Sequence, residues 1–283
     1  MKIYNTRSGI IIEQKGEYFL NKTQAWDQLV NQDNLYDRLV EQLSQFETID
    51  ESANYLDGIL LPPLGTQEVW GSGVTYYRSR DARMEESKDA GGGDFYDRVY
   101  DAARPELFFK APYYRVVGNR DHVRIRRDSK WDVPEPEMTL FITSSGKIQG
   151  YTVGNDMSSR SIEGENPLYL PQAKSYNGST SIGPCLFVPE KSLAMDTVIS
   201  IEILRNGAQV FAGDTSIDQM KRGFSELVEY LFRECDFPQG VYLMTGTGII
   251  PSHDFTLQSG DEIRISVEPI GTLINFVAGN PVK

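Results

Sequence analysis

Two short stretches of the 283-residue chain carry acids whose spacing suits a metal ion. Pro134-Glu135-Pro136-Glu137 runs into Met138-Thr139-Leu140-Phe141-Ile142-Thr143, so Glu135 and Glu137 stand two residues apart. In an extended segment both side chains project from one face. Ser144-Ser145-Gly146-Lys147 reads as a turn, and residues 148–156 as the returning strand. Pairing Thr143 with Ile148 sets Gly154 against Glu137 and Asp156 against Glu135, and cross-strand partners share a face. Three carboxylates then converge, with a glycine leaving space between them. Pro136 cannot donate a ladder hydrogen bond and is the expected place for a bulge. Like charges this close are costly unless one is protonated or a cation lies among them. Oxygen ligands, with only two His and two Cys in the chain, favour Mg²⁺, Mn²⁺ or Ca²⁺ over zinc. Spacing alone allows equally an acidic hairpin end facing solvent.

The elements that must hold these acids are mostly strands. His122 to Arg126, Met138 to Thr143 and Ile148 to Val153 alternate with period two. Val198 to Leu204, Asn206-Gly207 and then Gln209-Val210-Phe211 form a hairpin signature. Val241 to Met244 and Glu262 to Val267 are further strands. Met220, Phe224, Leu227, Val228, Leu231 and Phe232 make an apolar helical stripe ending near Phe237-Pro238, which reads as core packing. Before residue 60, short strands precede a helix marked by Leu35, Leu39, Leu43 and Phe46. The turn-rich Leu60-Leu61-Pro62-Pro63-Leu64-Gly65 predicts a boundary between a small α/β region, 1–65, and a main domain, 66–283. The expected class is α+β and β-rich.

Composition bounds the partners. A formal charge of -12 opposes binding to a phosphate backbone, so nucleic acid is an unlikely ligand class. It leaves room for a small anion at a bound cation. The N-terminus lacks a signal-peptide segment and no run is long enough to span a bilayer, which predicts a cytoplasmic protein without a membrane partner. Cys185 and Cys235 are expected as reduced thiols.

The acid motif, with Gly150-Tyr151-Thr152-Val153-Gly154-Asn155-Asp156-Met157-Ser158-Ser159-Arg160, resembles the fumarylacetoacetate hydrolase family. So do Lys174-Ser175-Tyr176 leading to Gly183-Pro184, Thr245-Gly246-Thr247, and Ile270-Gly271-Thr272-Leu273-Ile274-Asn275. The resemblance covers the chain from about Trp70 onward, in the family's order. It implies a mixed β-roll catalytic domain and a Mg²⁺ site at Glu135, Glu137 and Asp156, with Mn²⁺ or Ca²⁺ as alternatives. It also implies a homodimer or homotetramer.

Glu68-Val69-Trp70-Gly71-Ser72-Gly73, residues 96–101, Arg104-Pro105-Glu106-Leu107-Phe108-Phe109-Lys110 and residues 165–172 narrow the resemblance. They are similar to members that dehydrate 2-keto-3-deoxy sugar acids, such as 2-dehydro-3-deoxy-D-arabinonate to 2,5-dioxopentanoate. That likeness implies Lys174 and Glu106 as the acid–base pair beside the metal. The chemistry is a metal-stabilised enolate, with a base at C3 and an acid at the departing C4 hydroxyl. Ser72, Thr245 and Thr247 are the expected substrate-binding residues, although the two threonines read equally well as a tight strand-end turn. The family's carbon–carbon hydrolases carry a histidine where Gly73-Val74-Thr75-Tyr76-Tyr77-Arg78-Ser79 has Ser79, and serine without a base cannot activate water. Cleavage of an acylpyruvate or related 1,3-diketo acid is therefore the alternative, with Glu85 or Glu86 as substitute bases. Arg78 to Asp101 reads as a solvated loop in its middle and is also a candidate lid, with Arg78, Arg80 and Arg83 as candidate anion contacts.

Overall fold

The computed structural model describes residues 1–50, 60–78 and 99–279. The N-terminal strands are β1 (Lys2–Thr6), β2 (Gly9–Gln14), β3 (Glu17–Asn21), β4 (Glu47–Ile49) and β5 (Leu60–Leu61). Next come β6 (Glu68–Gly73), β7 (Glu106–Ala111), β8 (Val116–Val117), β9 (His122–Ile125) and β10 (Asp132–Val133). The central hairpin is β11 (Pro136–Ile142) and β12 (Ile148–Asp156), followed by β13 (Ser158–Ser159) and β14 (Thr180–Phe187). The last strands are β15 (Val198–Arg205), β16 (Ala208–Ser216), β17 (Val241–Met244), β18 (Glu262–Val267) and β19 (Gly271–Gly279). The helices are α1 (Trp26–Val30), α2 (Leu35–Gln42), α3 (Arg160–Glu165), α4 (Leu170–Lys174) and α5 (Phe224–Leu231).

One large sheet runs β4-β3-β2-β1-β14-β12-β11-β17-β6-β7, and a second runs β16-β15-β18-β19-β9. The β-rich α+β class is thus the observed one. Strands β11 and β12 lie in the middle of the large sheet, and every residue of β11 is buried. Alternation explains why both of its faces are dry. Met138, Leu140 and Ile142 share a core with Ile199, Ile201, Ile203, Ile263 and Ile265 of the second sheet. Phe141 belongs to the opposite core with Trp26, Leu29, Leu35 and Leu39 from α1 and α2. The expected helical stripe around Leu227 packs into the first core. Its helix is shorter than the stripe: Gly223 caps it, Met220 lies outside in a bridge to Tyr76, and it ends at Leu231.

Strands β1 to β5 add to the main sheet, since β1 pairs with β14 on one side and β5 returns to pair with β1. The Asn206-Gly207 hairpin forms as expected, with φ of 52° and 80° suiting a turn that needs two left-handed residues. Among the described residues, no helix is long and apolar enough to cross a membrane.

The central hairpin keeps the expected register where it matters and loses it at the turn. Glu137 faces Gly154, and Glu135 and Asp156 exchange backbone hydrogen bonds of 3.2 and 2.9 Å. At the far end a bulge between Phe141 and Ile142 pairs Ile142 with Ile148, leaving Thr143 to close the turn on the Lys147 carbonyl. Pro136 sits in an unbroken ladder opposite Asn155, so the bulge is not at the proline.

The space at Gly154 is also used differently. A Cβ there would lie 2.3 Å from Thr139 Oγ1 and 3.1 Å from Met244 Cε, so the neighbouring strand fills the gap. Gly154→Ala is expected to destabilise the fold by about 1–3 kcal/mol through overpacking. Urea unfolding monitored by circular dichroism checks this, and an unchanged midpoint would contradict it.

Candidate active site

Strand β11 leads from Glu135 and Glu137, and β12 ends on Asp156. A ligand oxygen from each of the three lies within 4.8 Å of the others, and all three side chains are buried. Helix α4 ends on Lys174, which is 1% exposed, and aims its ammonium at them. Lys174 Nζ donates to Glu135 Oε2 at 2.7 Å, Asp156 Oδ2 at 2.9 Å and Ser158 Oγ at 2.5 Å. The outer oxygens of the same two acids meet other cations. Arg160, at the start of α3, pairs with Glu135 Oε1 at 3.0 Å, and Lys110 of β7 pairs with Asp156 Oδ1 at 2.7 Å.

The Lys110 contact reports the shape of the sheet. Strand β7 stands four places from β12. At about 4.8 Å per strand, a flat sheet would put them about 19 Å apart, beyond the reach of a lysine. The sheet therefore curls, returning its β7 edge to the end of β12. That curl places Glu106, Phe108 and Lys110, alternate residues of one strand face, beside the carboxylates.

A small cleft opens over this cluster, lined by Ser72, Gly73, Val74, Phe108, Glu135, Arg160, Lys174, Gly246, Thr247 and Ile250. Glu106 stands directly against it, since a Cβ on Gly73 would fall 2.1 Å from Glu106 Oε2. Val74 holds φ at 53°, a left-handed conformation that is strained for a β-branched residue. Its neighbour Thr75 anchors the turn by donating to the Thr245 carbonyl at 2.6 Å.

Of the expected substrate-binding residues, Ser72 and Thr247 line the cleft. The Ser72 hydroxyl donates to the Met244 carbonyl at 2.7 Å, while Thr247 Oγ1 bonds within its own turn to Ile249. Thr245 turns away, its hydroxyl donating to the Met138 carbonyl at 2.9 Å. The Thr-Gly-Thr turn serves the acids: Gly246 N–H donates to Glu137 Oε2 at 2.5 Å. Ser79, Arg80, Arg83, Glu85, Glu86 and most of the candidate lid lie outside the described residues. Lys110, Arg160, Ser158 and Phe108 were not singled out from sequence, although all four lie inside motifs quoted above. Alternation of 106, 108 and 110 was the available signal for two of them.

The donor set fits a hard divalent cation. Lys174 already stands between Glu135 and Asp156 as a positive stand-in. Among the described residues no Lys or Arg ion pair reaches Glu137, which is 1% exposed. Burial, and then the charges of Asp156 and Glu135, push the Glu137 carboxyl well above the usual carboxylate range. Burial pulls the Lys110 ammonium down, opposed by Asp156. Glu135, Glu137 and Asp156 together would hold the ion, each through oxygen.

A raised carboxyl pKa means that folded Glu137 retains its proton above 4.5, where the unfolded chain has lost it. Ionising Glu137 therefore costs stability as pH rises through that window, and the cost is relieved as pH falls. A bound cation offsets the cost only where Glu137 is ionised. The rise in Tm on adding MgCl₂ is expected to be larger at about pH 8 than at about pH 5. Equal rises in thermal unfolding at both pH values would contradict a ligand role for Glu137.

Comparison with known proteins places the chain among relatives. Residues 84–278 match the family model for fumarylacetoacetate (FAA) hydrolase, C-terminal. A protein of Haloferax volcanii named "Probable 2-keto-3-deoxyxylonate dehydratase" is 45% identical over 82% of this chain and 78% of its own length. The "2-dehydro-3-deoxy-D-arabinonate dehydratase" of Saccharolobus solfataricus is 39% identical over 82% of this chain and 78% of its own. The solved structure described as "2-keto-3-deoxy-D-arabinonate dehydratase complexed with magnesium and 2,5-dioxopentanoate" is 32% identical and superposes over 100% of both chains with a TM-score of 0.85. On the match to the family model and these identities, the chain belongs to the fumarylacetoacetate hydrolase family.

Proposed function

We propose that the chain dehydrates a 2-keto-3-deoxy sugar acid, converting 2-dehydro-3-deoxy-D-arabinonate to 2,5-dioxopentanoate. The observation that carries the reading is the placement of Lys174 Nζ on both Glu135 and Asp156, with Glu106 across the same cleft at Gly73. The names of the two relatives and of the superposed structure support the substrate. Glu135, Glu137 and Asp156 would hold a Mg²⁺ ion, which when bound would supply positive charge to stabilise the enolate of a 2-oxo acid.

The remaining work falls to the chain's own groups. Lys174 Nζ takes the proton from C3 as the neutral amine, after its own proton has been given up. Glu106 delivers a proton to the C4 hydroxyl, which departs as water with the C4–O bond electrons. A C3=C4 double bond forms; a proton then moves from C5 to C3, giving a C4=C5 enol, and the enol proton passes from the C5 oxygen to C4, leaving the C5 aldehyde. The net change is loss of one water. Arg160 adds positive charge at the wall of the cleft, which suits a substrate carboxylate. Phe108, whose ring centroid is 5.7 Å from Lys174 Nζ, screens the base from water. Mg²⁺ as the native ion and a homodimeric or homotetrameric assembly, carried by the resemblance, complete the reading, with a cytoplasmic location carried by the N-terminal sequence and the sparse cysteines.

Incubation of the full chain with MgCl₂ and 2-keto-3-deoxy-D-arabinonate is expected to yield 2,5-dioxopentanoate, read by proton NMR. No turnover, with acylpyruvates cleaved instead, overturns the proposal in favour of a carbon–carbon hydrolase. Gly73→Ala tests Glu106 indirectly, because its new Cβ displaces the carboxylate while leaving the backbone in place. The expected loss in kcat is about 10²-fold at a nearly unchanged Tm. Wild-type kcat in this variant would remove Glu106 from the scheme.

A further inference from the structure

Lys110 has no place in the acid–base scheme, yet it is 0% exposed at the edge of the site. Three oxygens surround its ammonium, the first as an ion pair and the other two as hydrogen-bond acceptors. These are Asp156 Oδ1 at 2.7 Å, the Met157 carbonyl at 3.2 Å and the Lys174 carbonyl. It does not line the cleft, and its ammonium faces Asp156 and two backbone carbonyls instead. Two backbone carbonyls from the stretches that carry Asp156 and Lys174 fix where its charge sits.

The consequence is a division of Asp156 into two unlike oxygens. Oδ1 is held by Lys110, and Oδ2 is turned inward to meet Lys174 Nζ at 2.9 Å, beside Glu135 Oε2. A carboxylate with one oxygen locked in a dry ion pair presents only the other. Freeing Oδ1 would leave the Lys110 charge buried without its anion, which is strongly unfavourable. We propose that Lys110 is a positioning residue that limits Asp156 to single-oxygen ligation, and so biases the site toward small octahedral cations such as Mg²⁺ or Mn²⁺ over Ca²⁺.

The discrimination follows from coordination habits. Ca²⁺ gathers roughly six to eight oxygens and often takes both from one carboxylate, whereas Mg²⁺ takes single oxygens and keeps several waters. Locking Oδ1 therefore penalises the larger ion alone. Arg160 does the same to Glu135 Oε1 at 3.0 Å, but it also lines the cleft and so faces any ligand. Lys110 isolates the effect.

The inference rests on the reading that the three acids hold a divalent ion. Its test is calorimetric titration of the full chain with MgCl₂ and, separately, CaCl₂, for wild type and Lys110→Met. Removing a buried positive charge strengthens attraction for both dications by a common electrostatic factor, which cancels from the ratio of their Kd values. The preference for Mg²⁺ over Ca²⁺ is expected to fall by about tenfold, the lower end of what outer-sphere substitutions do to metal affinity. A merely structural role would leave that ratio alone. An unchanged ratio in a folded variant overturns the role of Lys110 while leaving the metal reading intact. Failure of the wild type to bind either ion overturns both. If Lys110→Met does not fold, a crystal structure of the wild type with Mn²⁺ decides. Asp156 bound through Oδ2 alone, with Oδ1 on Lys110, supports the inference, and Asp156 chelating through both oxygens overturns it.

Discussion

Three carboxylates brought within 4.8 Å of one another in a buried pocket cannot all stay ionised unless positive charge is brought to meet them. That electrostatic requirement organises this region of the molecule. Lys174, Lys110 and Arg160 answer it for Glu135 and Asp156. Each arrives from a different element: the end of α4, the β7 edge and the first turn of α3. Glu137 has a backbone donor from Gly246 and, among the described residues, no ammonium or guanidinium pair. The resulting pocket is electrostatically unfinished on the side where Glu137 lies, which is what a hard divalent ion requires.

Meeting that requirement constrains the fold around it. The acids must sit on a rigid support, and β11 and β12 supply one because both faces of the sheet there are dry. The second sheet covers one face, and α1 and α2, carried on the N-terminal addition, cover the other. The sheet must also curl, or β7 would never deliver Lys110 to Asp156 or Glu106 to the cleft. Glycines mark the points of closest approach. Gly73 makes room for the Glu106 carboxylate, and Gly154 for the Thr139 hydroxyl of the adjoining strand.

The same packing separates the roles of cations that look alike in composition. Lys174 lines the cleft and can reach a ligand, whereas Lys110 is held behind the acids by an ion pair and two backbone carbonyls. Arg160 is intermediate, pairing with Glu135 while facing the cleft. The Thr245-Gly246-Thr247 turn, which has the composition of an anion cradle, instead donates its glycine N–H inward to Glu137. Distance from the acids, more than residue type, decides what each of these groups does.

What the sequence by itself determined is local. Period-two alternation, with one turn between two strands, sufficed to bring Glu137 opposite Gly154 and Glu135 opposite Asp156, because neighbouring strands joined by a short loop have few registers available. The Asn206-Gly207 hairpin was legible for the same reason. A bulge near the turn escaped notice, since one extra residue can be absorbed anywhere along a ladder. Family motifs pointed to Lys174 and Glu106, though spacing could not. Only the tertiary structure assigned Lys110 to Asp156, 46 positions away in the chain, and Gly246 to Glu137, 109 positions away. Those contacts depend on the order of strands in the sheet and on its curl. No local pattern encodes either, because each is settled by how whole faces of the sheet bury one another.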